Sequence, residues 1–85
     1  MAQITIDDIR RILVACAGDM EGAGPGTDIS HLTFEDLGYD SLALMESAAQ
    51  IKQEFGVLVP DDEITEVTTP RALADLVNGL VARAA

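Results

Sequence analysis

A serine at the predicted start of a helix is the position where this sequence most clearly offers chemistry. Ser41 follows Asp40 and a turn that contains Gly38. A phosphate attached to the Ser41 hydroxyl would face free backbone amides and the positive end of the helix dipole, an interaction worth about 0.3–1 kcal/mol. On residue types and spacing alone, an unmodified helix-start serine is the simpler interpretation.

Other residue groups that could support chemistry lack the spacing that it needs. Ser41 is a poor candidate nucleophile because His31 is the only histidine and no glycine-framed turn of the hydrolase type surrounds the serine. The acidic run at 61–63 with Glu66 lacks the alternating spacing and the glycine of a calcium loop. The glycines of residues 22–26 lack the preceding strand and the following lysine of a phosphate-binding loop. We therefore expect neither a catalytic residue nor a metal site.

The charge balance excludes several classes of partner. The 85 residues include 15 acidic and five basic ones, which gives a net charge of −10 at neutral pH. Nucleic-acid binding needs a cationic surface, and an anionic membrane surface would repel this chain. An acidic surface suits basic patches on other proteins, which it would meet quickly through electrostatic steering. The strong like charge also favours a monomer.

The single cysteine indicates a chain without an internal disulfide. Cys16 lies in an apolar run that follows two arginines, a pattern that superficially resembles a secretion signal. That run, residues 12–17, is shorter than the usual hydrophobic region of about 7–15 residues, and Asp7 and Asp8 stand where a signal is cationic. We interpret Cys16 as a core residue of an amphipathic helix and expect a cytoplasmic protein.

Helix signals predict a single all-α domain over residues 1–85, with three main helices, one short helix and a long structured loop between the first two. Thr5 and Asp40 are predicted N-caps, and Thr69-Pro70 is a typical helix opening. A helical turn is expected within the loop near residues 33–36. The predicted elements are a helix at about 5–18, the loop at 19–40, a helix at 41–55, a short helix at 61–67 and a helix at 70–83.

The predicted second helix has two apolar faces. One face has residues spaced four, three and four apart, namely Leu44, Ala48, Ile51 and Phe55. The adjoining face has Leu42, Met45 and Ala49. Either one face joins the core while part of the other stays exposed beside Glu46, or both faces are buried in the centre of the bundle. Periodicity alone does not choose between these two arrangements.

The run Asp36-Leu37-Gly38-Tyr39-Asp40-Ser41-Leu42 closely resembles the attachment motif of acyl carrier proteins. In that family the serine of the Asp-Ser-Leu triplet receives 4′-phosphopantetheine from coenzyme A, and the match maps this role onto Ser41. The resemblance covers nearly the whole chain: the helix order, the Pro-Asp-Asp-Glu short helix, the Thr-Pro final helix and the acidity. Residues 39–49 look particularly like the discrete carriers of bacterial type II (aromatic) polyketide synthases.

The resemblance implies a carrier for polyketide antibiotic biosynthesis with no catalytic activity of its own. The arm on Ser41 would hold the growing chain as a thioester. Docking is expected through Asp40, Leu42, Met45 and Glu46, which would meet basic patches on the partner enzymes. The implied partners are a phosphopantetheinyl transferase, a malonyl acyltransferase, the ketosynthase/chain-length factor, a ketoreductase and cyclases.

The resemblance also suggests partial shelter for a reactive chain between the second helix and the side formed by the loop and third helix. The candidate lining residues are Leu44, Ile64 and Val67, and Arg11 and Arg71 are candidate donors to the chain carbonyls. For the arginines we favour the alternative of salt bridges or helix-dipole contacts. Two other interpretations of the chain stay open: a fatty-acid or peptidyl carrier, and a non-catalytic acidic helical adaptor.

Overall fold

The computed structural model describes residues 3–24 and 26–84. These residues contain no strand, so the predicted all-α class with three main helices and one short helix is confirmed. None of the described helices is long and apolar enough to span a membrane. In chain order the helices are α1 (Ile6–Ala17), α2 (Ser41–Phe55), α3 (Asp61–Ile64) and α4 (Pro70–Ala84).

Side-chain caps fix where α1 and α2 begin. The Thr5 hydroxyl accepts a hydrogen bond from the Asp8 N–H, and the Asp8 carboxylate accepts one from the Thr5 N–H, which makes a complete capping box for α1. The Asp40 carboxylate accepts a hydrogen bond of 2.9 Å from the Ala43 N–H at the start of α2. Gly56 ends α2 in the left-handed conformation.

The third helix is shorter than the sequence predicted. It covers only Asp61–Ile64, whereas a helix was expected over residues 61–67. The Thr65 hydroxyl donates to the backbone carbonyls of Asp61 and Asp62 at 3.1 and 3.3 Å. The Asp62 carbonyl, which the Glu66 N–H would use in a continued helix, accepts from the Thr65 hydroxyl, and the Glu66 N–H bonds to the Glu63 carbonyl at 3.2 Å instead. The chain thus leaves the helical path at Thr65.

The α1–α2 loop (residues 18–40) is part of the core rather than a linker. Ile29, Phe34 and Leu37 are buried in it. The predicted turn near residues 33–36 is present, because the Leu37 N–H bonds to the Thr33 carbonyl at 3.1 Å. The described residues of this loop therefore bury apolar side chains without forming a regular helix, and turns supply several of their backbone hydrogen bonds.

Two long-range backbone hydrogen bonds join this loop to the last part of the chain. The Phe34 N–H donates to the Thr68 carbonyl at 2.8 Å, and the Arg71 N–H donates to the Ser30 carbonyl at 3.0 Å. The loop is thereby fastened to the α3–α4 connection (residues 65–69) and to the first turn of α4.

The two apolar faces of α2 have different environments. Leu44, Ala48 and Ile51 are buried, and Phe55 is partly buried. On the other face, the structure leaves Leu42 62% exposed and Met45 40% exposed, and Ala49 is also exposed. The first of the two arrangements that periodicity left open is therefore the observed one.

The turn that precedes α2 depends on glycine at position 38. Gly38 has φ 85°, in the region that side chains with a Cβ rarely adopt. A Cβ built there would also lie 2.8 Å from Cδ of Glu21, inside normal contact distance. Glu21 is a flexible side chain that can move away, so the backbone conformation is the larger obstacle to substitution.

We predict that Gly38→Ala destabilises the fold by about 1–2 kcal/mol, the cost of placing an L-residue in the left-handed region. Gly79→Ala is the matched control. Gly79 lies inside α4 with open space around it, so the same substitution should stabilise by about 0.5–1 kcal/mol. Urea unfolding of both variants measures the two changes. Equal stability of Gly38→Ala and the unsubstituted chain would contradict the left-handed turn.

Candidate functional site

Ser41 is the first residue of α2, and its side chain is exposed. The preceding residue, Asp40, already caps the helix through its carboxylate, so the Ser41 hydroxyl is not needed for capping. The first turn of an α-helix leaves backbone N–H groups without intrahelical partners, and the helix dipole adds a positive potential there. An exposed hydroxyl at this point can therefore hold a phosphate-linked group.

A cavity of about 240 Å³ opens beside Ser41. It lies between the start of α2, the α1–α2 loop and the α3–α4 connection. Of the three lining residues expected from the sequence, Leu44 and Val67 line this cavity, whereas Ile64 is fully buried and does not line it. The complete lining is Thr33, Phe34, Glu35, Tyr39, Asp40, Ser41, Leu44, Thr65, Val67 and Thr68.

The walls of this cavity are held together by backbone hydrogen bonds. Phe34 donates its N–H to the Thr68 carbonyl and accepts, through its own carbonyl, a bond of 2.9 Å from the Tyr39 N–H. One residue of the loop thus links the α3–α4 connection to the turn before Ser41. These main-chain bonds therefore join the segments that form the cavity walls.

The four residues expected to dock partners are all exposed around Ser41. Asp40 and Glu46 present carboxylates, and Leu42 and Met45 are two of the four large apolar side chains that are exposed within the described residues. Met45 and Glu46 lie three and four residues after Leu42, which places both beside it on one side of α2. Apolar surface and negative charge therefore adjoin the serine hydroxyl.

The two arginines named from the sequence are in ion pairs and do not line the cavity. Arg11 of α1 binds both carboxylate oxygens of Glu54 at 2.7 and 3.1 Å, near the opposite end of α2 from Ser41. The hydrogen bonds from Arg11 and then Gln50 hold the pKa of Glu54 below its ordinary value. Arg71 pairs with Asp75, one turn along α4, at 3.4 Å.

Two other residue groups with potential chemistry lie apart from the serine. His31 is exposed in the α1–α2 loop and is not among the cavity residues. Within residues 3–24 and 26–84, no three His, Cys, Asp or Glu side chains are arranged to hold a metal ion. Cys16 is partly buried against the core, and this burial raises the pKa of its thiol.

Several cavity residues were not among those predicted from the sequence. Thr33, Thr65 and Thr68 come from two separate segments, so no spacing along the chain indicates that they meet. Tyr39 could have been identified, since an aromatic residue directly before the Asp-Ser pair must lie close to the serine. Its ring is 6% exposed, and its hydroxyl donates to the Gly18 carbonyl at 2.7 Å.

Comparison with known proteins assigns this arrangement to a family. The phosphopantetheine attachment site family matches residues 11–77, a range that includes Ser41 and all of the cavity residues. The granaticin polyketide synthase acyl carrier protein of Streptomyces violaceoruber is 58% identical over 85 residues, and the alignment covers 100% of both chains.

Solved structures of an acyl carrier protein have the same fold. The solution structure of the 3,5-dioxohexyl form of the carrier from the actinorhodin polyketide synthase of Streptomyces coelicolor has a TM-score of 0.86 and 51% identity. The holo form of that carrier has a TM-score of 0.84 with the same identity. Each alignment covers 99% of this chain and 98% of the other.

The matched family and the holo relative identify the prosthetic group as 4′-phosphopantetheine. An exposed serine hydroxyl at a helix start, with an open cavity beside it, fits such a group. Of the classes that the sequence left open, the relatives support the polyketide carrier rather than a fatty-acid carrier, a peptidyl carrier or an adaptor. The chain belongs to the acyl carrier proteins of type II polyketide synthases.

Proposed function

We propose that this chain is modified on Ser41 and presents polyketide intermediates from that residue to the enzymes of its synthase. The observation that carries the proposal is the exposed Ser41 hydroxyl at the first position of α2, inside the matched region and beside an open cavity. When bound, 4′-phosphopantetheine supplies a terminal thiol that holds the acyl chain as a thioester.

The role of Ser41 in this proposal is that of an anchor and not of a catalyst. The only histidine, His31, is exposed in the loop and outside the cavity, so no imidazole is placed to act as a base for the serine. The contribution of the carrier is effective concentration, because docking makes the tethered reactant nearly intramolecular in a partner's active site.

Docking is proposed on the exposed face of α2 beside Ser41. Leu42 and Met45 supply apolar contact, and Asp40 and Glu46 attract basic patches on the partners. One carrier must visit several enzymes, so a small charge-steered interface is suitable because it combines fast encounter with fast release. The proposed partners are a phosphopantetheinyl transferase, a malonyl acyltransferase, the ketosynthase/chain-length factor, a ketoreductase and cyclases.

The cavity beside Ser41 is proposed to shelter part of the bound chain. Leu44 and Val67 give it apolar walls, and the buried Ile64 directly precedes the lining residue Thr65 in the chain. Arg11 and Arg71 are weaker candidates for chain contact, since both guanidinium groups are in ion pairs and neither lines the cavity. A donor to the chain carbonyls must therefore come from elsewhere, or one of these ion pairs must open.

The proposed setting is a monomer in the cytoplasm. A net charge of −10 opposes association of two copies, and a single cysteine gives no sign of a disulfide framework.

The attachment point can be tested by intact mass. Incubation with coenzyme A and a broad phosphopantetheinyl transferase should raise the mass of the chain by one arm, and Ser41→Ala should abolish the increase. Ser30→Ala, in the loop, is the matched control and should be modified normally. Persistence of the mass increase in Ser41→Ala would place the arm on another residue.

The docking surface can be tested by charge reversal. Glu46 is exposed, so Glu46→Lys should change the free energy of unfolding by less than about 0.5 kcal/mol. The same change should lower kcat/KM for malonyl transfer to the carrier by about threefold to tenfold at low salt, because one attractive charge becomes repulsive. Added salt should reduce the difference.

Asp7→Lys is the control for this charge reversal. Asp7 is exposed near the start of α1, and α1 runs antiparallel to α2, so the same change in net charge is made at the other end of the bundle. Transfer to this variant should stay close to that of the unsubstituted carrier. A loss of stability in Glu46→Lys with normal transfer kinetics would contradict the docking assignment.

Shelter of the chain can be tested by NMR on loaded carriers. The methyl signals of Leu44, Ile64 and Val67 should shift when an acetyl group is replaced by a longer polyketone, because Leu44 and Val67 line the cavity and Ile64 is bonded in the chain to the lining residue Thr65. Val77, fully buried in α4 and outside the cavity, is the internal control. Identical spectra for the acetyl and polyketone forms would remove the shelter proposal.

A further inference from the structure

Tyr39 connects the turn before α2 to the end of α1. Its ring is buried, and its hydroxyl donates a hydrogen bond of 2.7 Å to the backbone carbonyl of Gly18. Gly18 is the C-cap of α1, so this carbonyl lies beyond the helix and needs a partner from another segment. The phenol supplies that partner from 21 residues further along the chain.

A second set of contacts holds the same turn. The Glu21 N–H donates to the Leu37 carbonyl at 3.0 Å, and the Glu21 side chain lies against Gly38. The Tyr39 N–H donates to the Phe34 carbonyl on the other side. Residues 37–39 are thus held between the first and second halves of the α1–α2 loop. Among the hydrogen bonds of the described residues, that of the Tyr39 phenol is the one that joins this turn to the end of α1.

The position of this turn decides where Ser41 lies. Asp40 alone separates Tyr39 from Ser41, and its extended backbone leads directly into the first turn of α2. Tyr39 also lines the cavity beside the serine. A movement of the Tyr39 side chain would therefore change both the orientation of the serine hydroxyl and the wall next to it.

We propose that Tyr39 is a positioning residue for the modification of Ser41. Its hydrogen bond to Gly18 holds the turn in the one position that lets a phosphopantetheinyl transferase reach the serine hydroxyl. In that transfer, Ser41 Oγ bonds to the pantetheine phosphorus of coenzyme A, adenosine 3′,5′-bisphosphate leaves, and the serine proton passes to the transferase. The inference rests on the proposed function of Ser41.

The expected kinetic effect follows from the fraction of carriers in the correct conformation. Without the phenol hydroxyl the turn samples other positions, and the apparent affinity for the transferase falls in proportion to the competent fraction. Once the carrier is bound to the transferase, its turn has the same conformation with or without the phenol hydroxyl. KM for the carrier should therefore rise by about threefold to tenfold while kcat is unchanged.

Tyr39→Phe tests this effect because it removes the hydroxyl and keeps the ring. Ile9→Val is the matched control, since it weakens the core of α1 at a buried position two turns away from Gly18. A positioning role predicts a raised KM in Tyr39→Phe alone. Equal KM values in both variants and the unsubstituted carrier, or an equal rise in both variants, would overturn the proposal.

A second measurement covers the case in which Tyr39→Phe fails to fold. Tyr39 is the only tyrosine, so 3,5-difluorotyrosine supplied during expression labels this position alone. Its phenol is more acidic than that of tyrosine, and the phenolate cannot donate to Gly18. In the unlabelled protein, burial raises the pKa of the Tyr39 phenol, and the charge of Asp19 raises it further. The charge of Arg10 has the opposite effect and lowers this pKa.

The labelled carrier should have a normal KM at low pH, where the phenol is protonated, and a KM that rises with pH through the fluorophenol pKa. The unlabelled carrier, measured at each pH with the same transferase, corrects for the pH dependence of the enzyme. A constant ratio of the two KM values would overturn the role of Tyr39. If the unlabelled carrier were not modified on Ser41 at all, the proposed function itself would fail, which is a separate outcome.

Discussion

The start of α2 is the constraint on which the site depends. The Asp40 carboxylate bonds to the Ala43 N–H and fixes the first turn, which determines the direction of every side chain that follows. With this starting point, Leu44 faces the core, Leu42 and Met45 face solvent, and Ser41 lies at the exposed end. A shift of the helix start by one residue would rotate all of these by about 100°.

The acidic surface is a second constraint, and it acts against stability. Among the described residues, salt bridges involve three of the 15 carboxylates, those of Asp8, Glu54 and Asp75. The carboxylates outside these ion pairs repel one another, and the core must compensate for that repulsion. In the proposed function, the exposed acidic side chains of Asp40 and Glu46 next to Ser41 attract basic partners, and Asp40 also caps α2.

The sequence predicts the helices well because their signals are local. Three helix starts are each marked by the residue directly before them: Thr5 for α1, Asp40 for α2, and Thr69, followed by Pro70, for α4. The cavity could not be predicted in this way, because the Phe34–Thr68 bond joins residues far apart in the chain. The choice between the two faces of α2 was undetermined for a related reason: both have helical spacing, and only packing against α1 and α3 distinguishes them.

In the proposed function, the carrier combines a fixed attachment point at Ser41 with weak docking. Weak docking leaves little binding energy to reorganise the carrier in each partner's active site, so the region around Ser41 must already be ordered before an encounter. Backbone contacts from Phe34 and Glu21, the Asp40 cap and the Tyr39 phenol provide this order within a segment that has no regular helix. The proposed function therefore requires the long loop, because the loop fixes the serine while the exposed face of α2 stays free.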